Sequence, residues 1–260
     1  MNNLQKLAQE VRRQIIEAIF LAGSGHPGGS LSSTDLLVGL YFGGVMSKED
    51  KFVLSAGHLC PAWYAVLLQK SGENGKKEKN LRKLGSPFQG HPYKKFASFV
   101  ETSTGSLGQG ISVGLGIALG KKMEKKPGLV WVLSSDGEQE EGQVWEAAMF
   151  SAKLKLDNLC LIIDRNGMQI GGKTEEITQL DPLKDKYEAF GWRVLEINGH
   201  DLGQIINAYE MVKKYNDAPV VIIAKTIRGK GVAFMENQER YHAGTLTQEE
   251  YQKAIKELTC

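Results

Sequence analysis

The feature that most constrains this chain is a set of five short, largely apolar runs, at residues 52–54, 129–133, 159–163, 193–197 and 220–225. A strand with one wet face alternates apolar and polar residues, whereas a run that stays apolar suits a parallel sheet covered on both faces. Helix-length segments separate the runs, at 32–41, 61–69, 108–122, 143–154, 181–190 and 202–214, with a last one at 248–258. The chain opens on Leu4, Leu7, Val11, Ile15 and Ile19, spaced by three and four as on one face of a helix. The predicted architecture is a doubly wound α/β fold, a mainly parallel sheet with helices on both faces. No internal repeat, low-complexity tract or linker interrupts it, so residues 1–260 are expected to form one domain.

Charge excludes some functions. With 32 Lys+Arg against 30 Asp+Glu the formal net charge is +2, without the concentrated basic face that nucleic acid demands. Lys76, Lys77, Lys79, Arg82 and Lys83 gather beside Gly72 and Gly75 and read as a solvated loop, with phosphate attraction as the lesser alternative. No apolar stretch reaches the roughly 20 residues of a membrane span, and the polar, amphipathic start lacks the short apolar core of a secretion signal. A cytoplasmic protein with no membrane or nucleic-acid partner is expected. Cys60, Cys160 and Cys260 are odd in number and far apart, which suits neither a zinc site nor a redox pair, and they read as buried bystanders. Trp131 and Trp145 read as core, and Gly114, Gly116 and Gly120 as close-packing positions on a helix.

In an open parallel sheet ligands bind beyond the carboxyl ends of the strands, where loops converge and helix N-termini point. After the run 129–133 comes Ser134-Ser135-Asp136-Gly137-Glu138, and after 159–163 comes Asp164-Arg165-Asn166-Gly167-Met168. One βαβ crossover would bring Asp136 and Asn166 to the same edge on neighbouring strands. A carboxylate, an amide oxygen and a backbone carbonyl, with room left for a diphosphate, suit Mg²⁺, which takes oxygen ligands in octahedral geometry at about 2.1 Å. Gly137 and Gly167 permit the tight turns and close backbone approach that this needs. Taken alone, two such loops are more often ordinary turn residues capping helices and strands.

Further motifs precede them in a fixed order: Ser24-Gly25-His26-Pro27-Gly28-Gly29, Ser55-Ala56-Gly57-His58, Gly90-His91-Pro92, and the run from Glu101 through Thr104-Gly105-Ser106-Leu107-Gly108 to Gly110. With these the sequence, from about His26 to His242, resembles the diphosphate-binding N-terminal half of transketolase, and most nearly the N-terminal subunit of a split, two-gene transketolase. The resemblance implies two cofactors, thiamine diphosphate and Mg²⁺. Asp136, Asn166 and the Met168 carbonyl would hold the metal, and Gly137 and Asn166 would touch the diphosphate. His58, Gly105, Ser106 and Leu107 would contact the diphosphate or thiazolium. His26, His91 and His242 would be the catalytic histidines of the sugar channel, with His242 also near the cofactor. Glu141 matches an acidic residue that communicates between paired active sites. Histidines with ordinary pKa values, about 6.5, can pass protons near neutral pH. His200, just before the helix cap Asp201, divides evenly between a structural and a functional role.

The sequence departs from the family at three places: Ser135 where a glycine is usual before the Asp136-Gly137 pair, Tyr93 and Lys94 where an acidic residue is usual, and Ala243-Gly244 where a glycine commonly follows the histidine directly. A second, pyrimidine-binding half, which in the family supplies the activating glutamate and most sugar-phosphate contacts, does not follow here. The resemblance therefore implies a separate C-terminal subunit as partner, a heterotetramer of two copies of each, sugar phosphates as substrates and no activity alone. Competing readings are another thiamine diphosphate enzyme such as a deoxyxylulose-phosphate synthase, and a non-catalytic paralogue. A generic nucleotide-binding domain is disfavoured because no G-x-G-x-x-G opens a helix directly after the first strand and no P-loop lysine motif appears.

Overall fold

The computed structural model describes residues 1–73 and 80–259. Lys76, Lys77, Lys79 and Cys260 lie outside the described residues.

Five parallel strands form one sheet, β1 (Lys51–Leu54), β2 (Val130–Ser135), β3 (Leu159–Arg165), β6 (Arg193–Asn198) and β7 (Val220–Lys225), in the order β1-β2-β3-β7-β6. Side chains alternate between two cores. Phe52, Leu54, Trp131, Leu133, Ile162 and Ile222 face one core, and Val53, Val130, Val132, Leu161, Ile163 and Val221 face the other. Both faces are thus covered, as the continuous apolar runs require. The first core is closed by α1 (Asn2–Ala22), α3 (Thr34–Phe42), α4 (Cys60–Ser71), α9 (Leu202–Val212) and α10 (Gln248–Thr259). The second is closed by α5 (Gln109–Met123), α6 (Gly142–Lys153) and α8 (Leu183–Phe190). Trp131 is fully buried, its indole N–H donating to Asp50 Oδ2 at 3.0 Å, while Trp145 is half-buried against Tyr187 and Phe190.

Three expectations need correction. The strand β6 is not buried throughout: as a sheet edge it exposes Arg193, Glu196 and Asn198. The helix expected at 32–41 begins only at Thr34, as α3, and a separate, unexpected short helix, α2 (Pro27–Ser32), precedes it and meets it at Ser33. Ser30, Ser32, Ser33 and Thr34 each turn a hydroxyl back onto a carbonyl three or four residues earlier, which competes with regular helical bonding at this junction. Of the three α5 glycines expected to be close-packing positions, Gly114, Gly116 and Gly120, only Gly114 is one, and against a strand: a Cβ there would fall 2.5 Å from Val132 Cγ2. Gly116 and Gly120 face open space. A small hairpin of β4 (Met168–Gln169) and β5 (Gly172–Lys173), followed by α7 (Thr174–Ile177), escapes periodicity because each piece is too short to show one.

His200 resolves to a structural role. Its Nδ1 meets Asp35 Oδ2 at 2.8 Å and its Nε2 accepts the Ile227 N–H at 2.8 Å, while Arg12 binds the same carboxylate through both nitrogens of its fork. Asp201 caps α9 through the N–H groups of Gly203 and Gln204. Cys60 and Cys160 are buried free thiols, and burial pushes Cys60 up to about 12. Among the described residues no helix is long and apolar enough to cross a membrane.

Candidate active site

All five strands point their carboxyl ends to one edge, and a cavity of about 190 Å³ opens there. One wall is built by the loops after β2 and β3. Ser135 pairs with Asp164 in the sheet register, so Asp136 and Asn166 leave neighbouring strands side by side. Asp136 Oδ1 accepts the Gly137 N–H at 2.9 Å, and its Oδ2 accepts the Gly167 N–H at 2.5 Å and Arg165 Nη1 at 3.3 Å. Gly167 sits at φ +76°, where a side chain would be strained, and a Cβ on Gly137 would fall 3.1 Å from Gln169 Cβ on the hairpin. Asn166 Nδ2 donates to Asp164 Oδ2 at 3.3 Å, which leaves its Oδ1 on the other side to accept the Met168 N–H at 3.1 Å. Burial, and then the neighbouring Asp164 carboxylate, push Asp136 up to about 7 against the pull of Arg165 and the two backbone N–H groups.

A second part of the lining is four histidines from four distant loops. His26 is central: its ring centroid lies 5.4 Å from that of His58, 5.9 Å from His91 and 5.6 Å from His242, and His58 and His242 are 5.6 Å apart. Local backbone explains the meeting. Gly25 and Gly244 exchange N–H···O bonds of 3.0 and 2.9 Å, which ties the His26 and His242 loops together despite their separation in sequence. Gly57, beside His58, abuts the Thr104–Gly105 backbone so closely that a Cβ would lie 3.0 Å from Gly105 N. Gly105 in turn lies under the His91 ring.

These imidazoles are not ordinary. Burial first, then repulsion from His242, Arg82 and His91, lowers His26 to about 4, and burial followed by Arg228 lowers His242 to about 4. His58 and His91 are lowered as well, chiefly by burial. The expectation of ordinary pKa values fails because the rings crowd one partly buried wall, so near neutral pH they present neutral imidazoles.

Of the residues singled out from the sequence, His26, His58, His91, Gly105, Leu107, Asp136, Gly137, Asn166, Met168 and His242 all line the cavity. Ser106 does not: it is exposed between two lining neighbours. Glu141 is exposed at the start of α6, outside the cavity, beside Gly108. Ser135 lines the cavity, whereas Tyr93 packs edge-on against Phe96 and Lys94 Nζ donates to the Val100 carbonyl.

Sequence reasoning missed Arg228, which is 2% exposed, lines the cavity and donates to the carbonyls of Met168 (2.7 Å) and Gln169 (3.1 Å). It follows β7 at the same sheet edge, so the rule that picks out Asp136 and Asn166 also points to it. Gln169 and Ile170 of the hairpin also line the cavity, and Gln169 Nε2 donates to both Glu140 oxygens at 3.0 and 3.1 Å.

The donor set fits a metal diphosphate. Asp136, Asn166 and Met168 bring one carboxylate, one amide oxygen and one backbone carbonyl, which accepts from Arg228, to the lining of one cavity, and these are the oxygen types a hard divalent cation accepts. Two lining residues, His26 and Arg228, each keep a buried nitrogen, Nδ1 and Nε, with no protein partner. Fold and cavity together define an α/β domain with a polar ligand cavity at the carboxyl edge of a parallel sheet.

The chain belongs to the transketolase family: residues 4–259 match the family described as transketolase, thiamine diphosphate binding domain. It is 39% identical to an apulose-4-phosphate transketolase subunit of Phocaeicola vulgatus over 100% of this chain and 95% of that protein. It is also 39% identical to a 6-deoxy-6-sulfo-D-fructose transketolase subunit of Clostridium sp., over 98% and 96%. Human transketolase is 36% identical over 98% of this chain, which spans 42% of that protein. The crystal structure of Campylobacter jejuni transketolase superposes with a TM-score of 0.91 at 32% identity, covering 100% of this chain and 43% of that one.

Proposed function

We propose that this chain is the N-terminal, diphosphate-holding subunit of a two-chain transketolase, which moves a two-carbon ketol unit from a ketose phosphate to an aldose phosphate. The observation that carries this reading is the joining, in one cavity, of the Asp136–Asn166–Met168 oxygen set with the four-histidine wall. Thiamine diphosphate, when bound, supplies the carbanion and the electron sink of the reaction. Asp136, Asn166 and the Met168 carbonyl hold Mg²⁺, and Gly137 with Asn166 meets the diphosphate. His58, Gly105 and Leu107 line the cofactor's path, with Ser106 between two of them.

His26, His91 and His242, neutral near pH 7, orient the sugar's carbonyl and hydroxyl oxygens and exchange protons with them. Two relatives of nearly the same length are called subunits, which supports a separate partner subunit. In the proposed assembly that partner is the C-terminal chain of a cytoplasmic heterotetramer, with Glu141 at the contact between paired sites. The substrates in those relatives' names carry a phosphate or a sulfo group, which supports an anionic sugar here too.

The test is calorimetric titration of thiamine diphosphate with Mg²⁺ into this chain, alone and mixed with a candidate C-terminal subunit. Tight, metal-dependent binding confined to the mixture is expected, together with ketol transfer. Association of the two chains without cofactor binding would replace this reading with the non-catalytic one.

A further inference from the structure

One carboxylate near the cavity does not line it. Glu138 is fully buried, at 0% exposed, in the short 3₁₀ turn Gly137–Glu140 beyond Asp136. Its Oε1 accepts from Ser55 Oγ at 2.5 Å and from the Gly108 N–H at 2.8 Å, and its Oε2 accepts from Ser134 Oγ at 2.7 Å. The donors sit just past β1, in β2 and at the N-cap of α5. Proton directions are fixed from outside: Tyr187 Oη donates to Gln139 Oε1 at 2.6 Å, and Gln139 Nε2 donates to Ser134 Oγ at 2.7 Å. That leaves the Ser134 proton for Glu138 at 2.7 Å or the more distant Ser135 carbonyl at 3.3 Å.

None of the groups bonded to this carboxylate is basic. A buried charge without a cation is unfavourable, and an apolar residue could fill the same space more stably. What the carboxylate does, and an apolar side chain cannot, is hold the Gly108 N–H. The loop ending there turns through positive φ twice, at Gly105 (+148°) and Gly108 (+78°), and puts Gly105 and Leu107 into the cavity wall. Its near end is tied by the Thr104 N–H to the Pro92 carbonyl at 3.2 Å, and its far end by Glu138. Directly beyond, a Cβ on Gly110 would fall 2.4 Å from Ser55 Oγ, so α5 begins pressed against the residue that shares Glu138.

We propose that Glu138 is a positioning residue that sets the depth of the 105–107 loop, and through it the affinity of the site for its cofactor. This rests on the cavity being the thiamine diphosphate site.

The test compares Glu138→Gln, whose amide oxygen still accepts from Ser55 and Gly108, with Glu138→Asp, whose carboxylate is drawn back by one methylene, and Glu138→Ala. In this chain alone, amide exchange over 104–110 is expected to rise by about tenfold or more in the Asp and Ala variants and to stay near wild type in the Gln variant. In the assembled pair, the Kd for thiamine diphosphate with Mg²⁺ is expected to rise by about 10- to 100-fold for Asp and Ala and to change little for Gln. A folded Asp variant matching Gln in both readouts would overturn the proposal, and this contrast holds even where Ala does not fold. Failure of the wild-type pair to bind the cofactor would instead break the reading of the cavity, and the exchange comparison would still decide what Glu138 does.

Discussion

The two walls of the cavity are built on opposite principles. On the wall formed by Asp136, Asn166 and Met168, neighbouring strand ends supply the residues, and polar groups are pinned by partners 2.5–3.3 Å away. On the histidine wall, four loops distant in sequence supply the rings, and among the described residues no imidazole of the four makes a hydrogen bond to a protein group; they meet only as rings 5.4–5.9 Å apart. The pinned wall suits a ligand whose position must not vary, a metal diphosphate. On the proposed reading, the free wall leaves ring nitrogens for a sugar that changes during each turnover. Rigid anchoring beside adaptable proton-bearing groups is the division of labour a transferase with two successive substrates requires.

If the division is real, the largest effect comes from the pinned wall. Asp136→Ala in the assembled pair is expected to abolish Mg²⁺-dependent cofactor binding in calorimetry, a loss of about 100-fold or more, because it removes the only carboxylate of the proposed metal set. Circular dichroism checks that the chain stays folded, since the substitution also takes a partner from the Gly137 and Gly167 N–H groups and from Arg165. Next in size, His26→Ala should lower kcat/KM by about 100-fold or more through lost proton transfer, with cofactor affinity within a few-fold of wild type. Equal losses of both quantities in the two variants would erase the distinction between the walls. Smaller again, Asp164→Asn frees the Asn166 amide to flip, and the Kd for Mg²⁺ with thiamine diphosphate should rise by about tenfold.

The same contrast explains what can be read from sequence. The pinned wall follows from local order: two apolar runs, a loop after each, and one crossover place Asp136 beside Asn166 by topology alone. Nothing comparable predicts that His26 meets His242; that depends on the Gly25–Gly244 backbone exchange, and it becomes legible only through the ordered motif set shared with a family. Arg228 falls under the same local rule as Asp136 but sits three residues beyond β7, where the sheet no longer dictates which way the chain runs. Burial of the histidines is not legible at all: an imidazole's charge depends on which other rings crowd it, a tertiary fact with no signature in spacing. The edge exposure of β6 belongs to the same class, since Arg193 and Glu196 show polarity but not which strand ends the sheet.

The smallest predicted effect tests the free wall through pH. His26 and His242 titrate at about 4 in the folded chain against about 6.5 unfolded. Between those values the unfolded chain takes up protons that the folded chain refuses, so this pair's contribution to stability is lost as pH falls from 6.5 towards 4. The groups facing His26 are His242, Arg82, His91 and His58, and those facing His242 are Arg228, His58 and His26; none is acidic, so none of them restores either charge. Asp136, Glu138 and Asp164 have raised values and act with the opposite sign over an overlapping range, so the whole-chain melting curve mixes the two. A double variant, His26→Phe with His242→Phe, isolates the histidines. On moving from pH 7.5 to pH 5 it should lose less stability than wild type by about 1 kcal/mol per ring, after discounting for the solvent that reaches both. Parallel losses in denaturant titrations of the two proteins would mean that the rings relax apart and charge freely, and the histidine wall would then be no more strained than the pinned one.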